Sequence, residues 1–196
     1  MVAGDREFAL AMSDRSGIPT TVASGDLRRT VGGVAGGPAR NVADGPASSE
    51  ASGQVLALPI DLIDLRLDGR PAGSAAAHVL LRSDRRRGGL LRGPVVMVMN
   101  AEFMGSWDVA PRGHPNDGKV EVVSCGPELS VRQRLAARRR LANGTHLPHP
   151  DITSRSLATA SFRFGRPIIV VADGQRLGSA RTVEFDVRPD AATFYL

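Results

Sequence analysis

The chain has 196 residues and a mass of 20.7 kDa, enough for one ordinary domain or one domain with a tail. Hydrophobic residues make up 42% and charged residues 23%, which excludes a wholly disordered chain. The formal net charge of +5 favours phosphate-bearing partners without selecting one. A single cysteine, Cys125, excludes an intramolecular disulfide, and no apolar run is long enough to span a membrane. We expect a cytoplasmic protein, with a peripheral position at the membrane as the alternative.

Residues 1–54 differ in composition from the rest of the chain. Residues 24–54 consist mainly of Gly, Ala, Ser, Pro, Asp and Asn, which predicts a mobile linker. A short helix is expected over residues 26–31, with Asp26 as its cap. The glycine-rich run at 31–38 has no preceding strand and no Gly-Lys-Ser/Thr, so it does not fit a phosphate-binding loop. The prediction is therefore a flexible segment at 1–54, interpreted as a remnant of a nucleotide-binding lobe, and a domain at 55–196.

From residue 55 onward the pattern is that of strands. Apolar and charged residues alternate from Ile63 to Asp68 and Gly69 ends the run, while 95–99 is apolar throughout, as in a strand covered on both faces. Further strands are predicted at 79–81, 120–125, 161–164, 168–172, 182–187 and 193–196. Asp173-Gly174 is a hairpin turn signal.

One helix is predicted between Ser130, which forms a capping box with Gln133, and the stop signal Asn143-Gly144. The face expected to share apolar residues carries Val131, Leu135 and Ala142. The arginines, Arg134 among them, are placed on the other faces. With about eight strands and one clear helix, the predicted fold is mainly β: an antiparallel two-sheet β-sandwich-like domain with one or two helices.

Two acidic turns are candidate sites. Asp117, on a tight turn flanked by outward carbonyls, suits a hard cation that keeps several waters. Asp173, at a hairpin tip, suits acceptance of a proton from a substrate hydroxyl. Each is equally explained by ordinary turn chemistry. His146 and His149 lie three residues apart but off a helix face, so they are interpreted as polar loop residues rather than zinc ligands.

The turns occur in an order that resembles the diacylglycerol kinase family, which includes bacterial lipid kinases and sphingosine kinases. After Met99, residues 100–111 read NAEFMGSWDVAP, and residues 116–122 read NDGKVEV. At these places the family has Asn, a glycine-rich turn and Ala-Pro, followed by Asp-Gly-x-Leu-Asp. Gly144-Thr145-His146 follows the helix, and Asp173-Gly174-Gln175 falls where the family has Asp-Gly-Glu. The resemblance covers 55–196.

The resemblance implies a β-rich C-terminal lobe that packs against a nucleotide-binding lobe, with ATP-dependent phosphoryl transfer to a lipid hydroxyl in the cleft. By the same resemblance, Asp117 would hold Mg²⁺, assisted by backbone carbonyls near His114 and Lys119. Asp173 would lie by the acceptor hydroxyl, at or next to the general-base position that it shares with Gln175.

The chain also departs from the family. It contains no Gly-Gly-Asp-Gly-Thr loop, and only Asp26 and Arg29 remain of the adjoining nucleotide-binding segment. Gln175 replaces the family's glutamate, and a neutral amide cannot act as a general base. We therefore expect a lipid-kinase-like C-terminal domain that is catalytically incomplete alone and acts with a separate nucleotide-binding lobe.

Two other functions stay open. A basic module would use 85–87 and 138–140, each Arg-Arg-Arg, to bind anionic lipid; nucleic acid is disfavoured because aromatics for base stacking are missing. The same arginines are more simply explained by a solvated loop and a solvated helix face. The third hypothesis is a structural partner that forms a homo-oligomer through an apolar surface.

Overall fold

A computed structural model describes residues 20–21, 26–30 and 57–195. Most of the predicted linker and of the predicted 1–54 segment lies outside the described residues; the short helix predicted at 26–31 is observed at Asp26–Thr30. The secondary-structure elements, in chain order, are β1 (Thr20–Thr21), α1 (Asp26–Thr30), β2 (Ala57–Leu67), β3 (Arg70–Ala75), β4 (His78–Arg82), a 3-10 turn (Arg85–Arg87), β5 (Val95–Met99), β6 (Phe103–Met104), β7 (Trp107–Asp108), β8 (Val120–Cys125), α2 (Val131–Leu141), β9 (Ile152–Leu157), β10 (Thr159–Ala172) and β11 (Gln175–Tyr195).

Nine of the strands form one hydrogen-bonded sheet in the order β3-β2-β11-β10-β4-β5-β8-β9, with β1 added to β11. Every pair along this order is antiparallel, and only β1 runs parallel to its neighbour. β6 and β7 form a separate two-stranded ribbon. The predicted mainly β, antiparallel fold is confirmed.

The sandwich-like shape comes from a sheet that folds over on itself. One buried cluster contains Ile63 of β2 together with Val98 of β5 and Val122 of β8, although β2 and β8 stand far apart in the strand order. The pairing of β10 with β11 shifts register between Arg163 and Ile168, and that of β11 with β2 shifts between Arg188 and Ala192. Such irregularities bend strands, so the two layers are continuous through β10 and β11.

These bends also explain where the predicted strands differ from the observed ones. The segments predicted at 161–164 and 168–172 are one strand, β10. Those predicted at 182–187 and 193–196 belong to β11 as far as Tyr195, and Leu196 lies outside the described residues. The strands β3 and β9 were not predicted. β9 has an exposed, polar centre between its two ends, so it carries no alternating apolar signal.

The capping box of α2 is confirmed, because Ser130 Oγ accepts from Gln133 N and Gln133 Oε1 accepts from Ser130 N. The predicted buried face is wrong: Val131 and Leu135 are exposed, and the buried residues of α2 are Arg134 and Leu141. The Arg134 guanidinium donates to four backbone carbonyls, those of Leu90, Gly93, Gly126 and Leu129. These carbonyls offset the cost of burying the charge.

Among the described residues, no helix is both long enough and apolar enough to cross a membrane.

Candidate functional site

The hairpin at Asp173 is built into the neighbouring β3–β4 turn. Asp173 and Gly174 both have positive φ, 44° and 82°, as in the tight turns that suit twisted hairpins. The Asp173 carboxylate accepts from the backbone N–H groups of Ala76 at 2.7 Å, Ala77 at 3.1 Å and His78 at 2.8 Å. Both carboxylate oxygens are therefore engaged by the backbone. Gln175, the other predicted catalytic residue, is exposed at the start of β11.

The helix α1 is docked at the same end of the sheet. Asp26 Oδ1 accepts from Gly105 N at 2.7 Å, and Asp26 Oδ2 lies 3.4 Å from Nδ1 of buried His78. Leu27 is fully buried. His78 links the two predicted sites, since its backbone N–H reaches Asp173 and its ring reaches Asp26. The side chain of Arg29 lies outside the described part of the chain.

The turn at Asp117 is exposed and locally bonded. Asp117 Oδ1 accepts from Lys119 N at 3.0 Å, and His114 Nδ1 accepts from Asn116 N at 3.3 Å. The side chains of His114, Asp117 and Lys119 are all exposed. In the part of the chain that the structure describes, no three His, Cys, Asp or Glu residues are grouped to hold a metal ion. The turn therefore presents one exposed carboxylate, that of Asp117.

Two buried polar residues that the sequence interpretation did not single out join these turns. Asp61 is fully buried; its Oδ2 accepts from Gly118 N at 2.7 Å and its Oδ1 from Asp190 N at 2.9 Å. Asn100 Nδ2 donates to the carbonyls of Asp61 at 2.9 Å and Ala76 at 2.8 Å. The sequence did contain a signal for Asp61. Side chains alternate between the faces of a strand, so Asp61 lies on the same face of β2 as the apolar residues Ile63 and Leu65.

A continuous hydrogen-bonded path therefore connects the two candidate turns. It runs from the Asp173 carboxylate to Ala76, from Ala76 through Asn100 to Asp61, and from Asp61 to Gly118 beside Asp117. Buried hydrogen bonds such as these fix the relative position of the segments they join, although Oδ1 of Asn100 has no hydrogen-bond partner among the described residues. The turns predicted separately from the sequence are thus held in one network at one end of the sheet.

A second feature is an apolar cavity of about 110 Å³ between α2 and the sheet. Its wall includes Leu90, Met97, Ala137, Leu141 and Ile152. Most of the lining is aliphatic, so the cavity favours an apolar ligand over a polar one.

The cavity lining also includes Cys125 and His146, together with the arginines Arg134 and Arg138. His146 is only 2% exposed, and its ring lies beside the Asp108 carboxylate and the Val109 backbone, both of which favour its charged form. Burial lowers the pKa of His146 from 6.5, against the opposing effect of Asp108, so the ring is neutral at pH 7. Burial raises the pKa of the Cys125 thiol, which keeps it protonated and unreactive at neutral pH. His146 is thus a buried cavity residue rather than the polar loop residue predicted from the sequence.

The fold and the network define a mainly β, sandwich-like domain with two acidic turns at one end. Residues 64–195 match the model of the YegS C-terminal NAD kinase beta sandwich-like domain, and the chain belongs to this family. No curated protein sequence gives a significant match to the chain.

Solved structures with this fold include proteins from Bacillus anthracis str. Sterne. Two candidate diacylglycerol kinases match with TM-scores of 0.53 and 0.52, at 11% and 12% identity. Each match covers 71% of this chain and 57% of the other protein, so the chain spans little more than half the length of these relatives. The predicted resemblance to the C-terminal lobe of the lipid kinase family is confirmed.

Proposed function

We propose that this chain forms the lipid-binding lobe of a phosphotransferase and that its 196 residues do not complete phosphoryl transfer alone. The observation that carries the lipid part of this proposal is the apolar cavity beneath α2. An apolar cavity of roughly 150 Å³ accommodates a molecule such as benzene, so a volume of about 110 Å³ suits a short length of acyl chain. Neutral His146 is placed to exchange a hydrogen bond with a lipid oxygen.

The proposed incompleteness rests on the chemistry of the acidic end. Phosphoryl transfer to an alcohol needs a group that orients the hydroxyl and takes its proton. The Asp173 carboxylate already accepts three backbone N–H groups, and the adjoining Gln175 is a neutral amide. The sequence also contains no Gly-Gly-Asp-Gly-Thr loop. In this proposal a nucleotide-binding lobe supplies ATP binding and the catalytic groups that the acidic end does not provide.

Mg²⁺ fits this proposal in a limited way. Asp117 Oδ1 accepts from Lys119 N at 3.0 Å, so Oδ2 is the carboxylate oxygen available to an ion, whereas the nearby Pro115 carbonyl already accepts from Asp61 N at 2.7 Å. Asp117 would therefore hold the ion through a single oxygen. Bound there, Mg²⁺ would offset the charge on the phosphates of ATP.

The lipid-binding part is tested with a fluorescent diacylglycerol analogue and a matched pair of variants on α2. Ala137 lines the cavity and Ala136, beside it, is exposed. We expect Ala137→Phe to fill the cavity and weaken analogue binding at least tenfold, while Ala136→Phe leaves binding unchanged. Equal binding by both variants would show that the lipid binds elsewhere and would contradict the proposal.

A further inference from the structure

An open groove of about 850 Å³ lies beside the 3-10 turn that follows β4. Its polar wall carries five arginines, namely Arg82, Arg85, Arg86, Arg87 and Arg176. The acidic residue in the lining is Asp84, and its carboxylate Oδ1 accepts from Arg86 N at 2.9 Å, where it caps the turn. The groove therefore concentrates positive charge with one carboxylate in its wall.

The charges in this groove are available to a ligand. The ion pairs between described residues are His78 with Asp26 and Arg188 with Asp64, and neither includes an arginine of the groove. Arg85, Arg86 and Arg87 are exposed. A guanidinium binds phosphate through two parallel hydrogen bonds, which makes such a cluster selective for phosphate groups.

The backbone that presents the three consecutive arginines is fixed at both ends. Asp84 caps the 3-10 turn at its start, and at its end Gly88 has φ of 97° and donates from its N–H to Arg85 O at 3.1 Å. A Cβ at Gly88 would lie 2.7 Å from Arg92 Cβ, so this end of the turn is closely packed as well as left-handed. The backbone that carries the arginines is therefore ordered before any ligand binds, which reduces the backbone entropy lost on binding.

The lining of the groove itself includes aliphatic but no aromatic side chains among the described residues. Pro167, Ile169 and Ser179 complete it, and the sheet pairs Ile169 directly with Arg82. Leu90 and Leu91, which are half-buried, follow the arginine turn and also line the cavity beneath α2. Since base stacking needs aromatic rings, this surface suits the boundary of a lipid layer better than single-stranded nucleic acid.

We infer that the arginine groove is a docking surface for a bilayer that contains anionic phospholipids. The guanidinium groups would bind headgroup phosphates, and Leu90 and Leu91 would face the layer where the cavity beneath α2 begins. Docking in this orientation brings the cavity to the surface from which a lipid would enter. The inference does not depend on phosphoryl transfer, because it rests on the charge and shape of the groove alone.

The test measures co-sedimentation of the full chain with vesicles of phosphatidylcholine, with or without phosphatidylglycerol. An arginine near an anionic surface contributes about 1 kcal/mol, so Arg85→Gln/Arg86→Gln/Arg87→Gln should weaken partitioning on the order of 100-fold. The wild-type protein should lose binding as salt rises and should not bind phosphatidylcholine alone.

The matched control is the triple Gln variant of Arg70, Arg112 and Arg155, which are exposed on β3, on the 109–119 loop and on β9. It changes the net charge by the same amount, and we expect it to keep at least a third of wild-type partitioning. Equal losses in the two variants would overturn the inference, because net charge would then explain the binding. Tight binding to RNA without vesicle binding would also overturn it. If both variants unfold at the same urea concentration as the wild-type protein, misfolding does not explain any loss of vesicle binding.

Discussion

The carboxylate of Asp173 joins two hairpins, and replacing it by asparagine tests that role. Oδ1 accepts from Ala77 and His78 and Oδ2 accepts from Ala76. Asparagine keeps one oxygen and places an NH₂ group against the remaining backbone donor. Because a hydrogen bond to a charged group contributes about 1.5–3 kcal/mol, Asp173→Asn should lower the free energy of unfolding by about 2–3 kcal/mol.

Asp173→Ala should cost more. It removes all three hydrogen bonds and leaves a non-glycine residue without a polar side chain at a φ of 44°, which adds about 1–2 kcal/mol. The expected total loss is about 4–6 kcal/mol, a large part of the roughly 5–15 kcal/mol that stabilises an ordinary domain.

Urea unfolding followed by circular dichroism and by fluorescence of the single tryptophan, Trp107, measures both losses. Asp186→Asn is the matched control, because Asp186 is an exposed carboxylate on β11, and this change should stay within about 0.5 kcal/mol of wild type. A wild-type midpoint for Asp173→Asn would refute the structural role assigned to this carboxylate.

Three further predictions concern α2 and the cavity beside it. Arg134→Leu should lower the free energy of unfolding by about 3–5 kcal/mol in urea titrations, because four carbonyls lose their donor, and Arg134→Lys should lower it less. Burial depresses the pKa of His146 in the folded state, so below pH 6.5 the unfolded chain takes up a proton that the folded chain does not. The free energy of unfolding should therefore decrease by up to about 1.4 kcal/mol for each unit by which the pH is lowered below 6.5. His146→Gln should remove this contribution to the pH dependence. Ser130→Ala should cost about 1 kcal/mol by loss of the helix cap, and a cost near zero in thermal unfolding would contradict the capping geometry.

Local signals in the sequence predicted the features that depend on local chemistry. The capping box at Ser130 and the hairpin at Asp173-Gly174 follow from residue types at short spacing, and both are present. The alternation from Ile63 to Asp68 likewise predicted a strand, which is part of β2. The order of the motifs pointed to the family that the domain comparison confirms.

Features that depend on distant parts of the chain could not be predicted in this way. Helical periodicity placed Arg134 on a polar face, because the carbonyls that make its burial favourable come largely from the 90–93 and 126–129 segments. Asp173 was interpreted from its exposed turn, whereas its partners lie about a hundred positions earlier, at Ala76 and its two neighbours. Likewise, nothing local shows that the Gly118 turn is bonded to the buried Asp61.

The central claim is that this chain has the lipid-binding lobe of a phosphotransferase without complete catalytic machinery. The most direct measurement is ATP-dependent phosphorylation of diacylglycerol by the purified 196-residue chain in the presence of Mg²⁺. The account predicts no turnover above the protein-free background. Robust turnover that disappears in Asp117→Ala would contradict it, because the acidic end of the sheet would then be a complete active site.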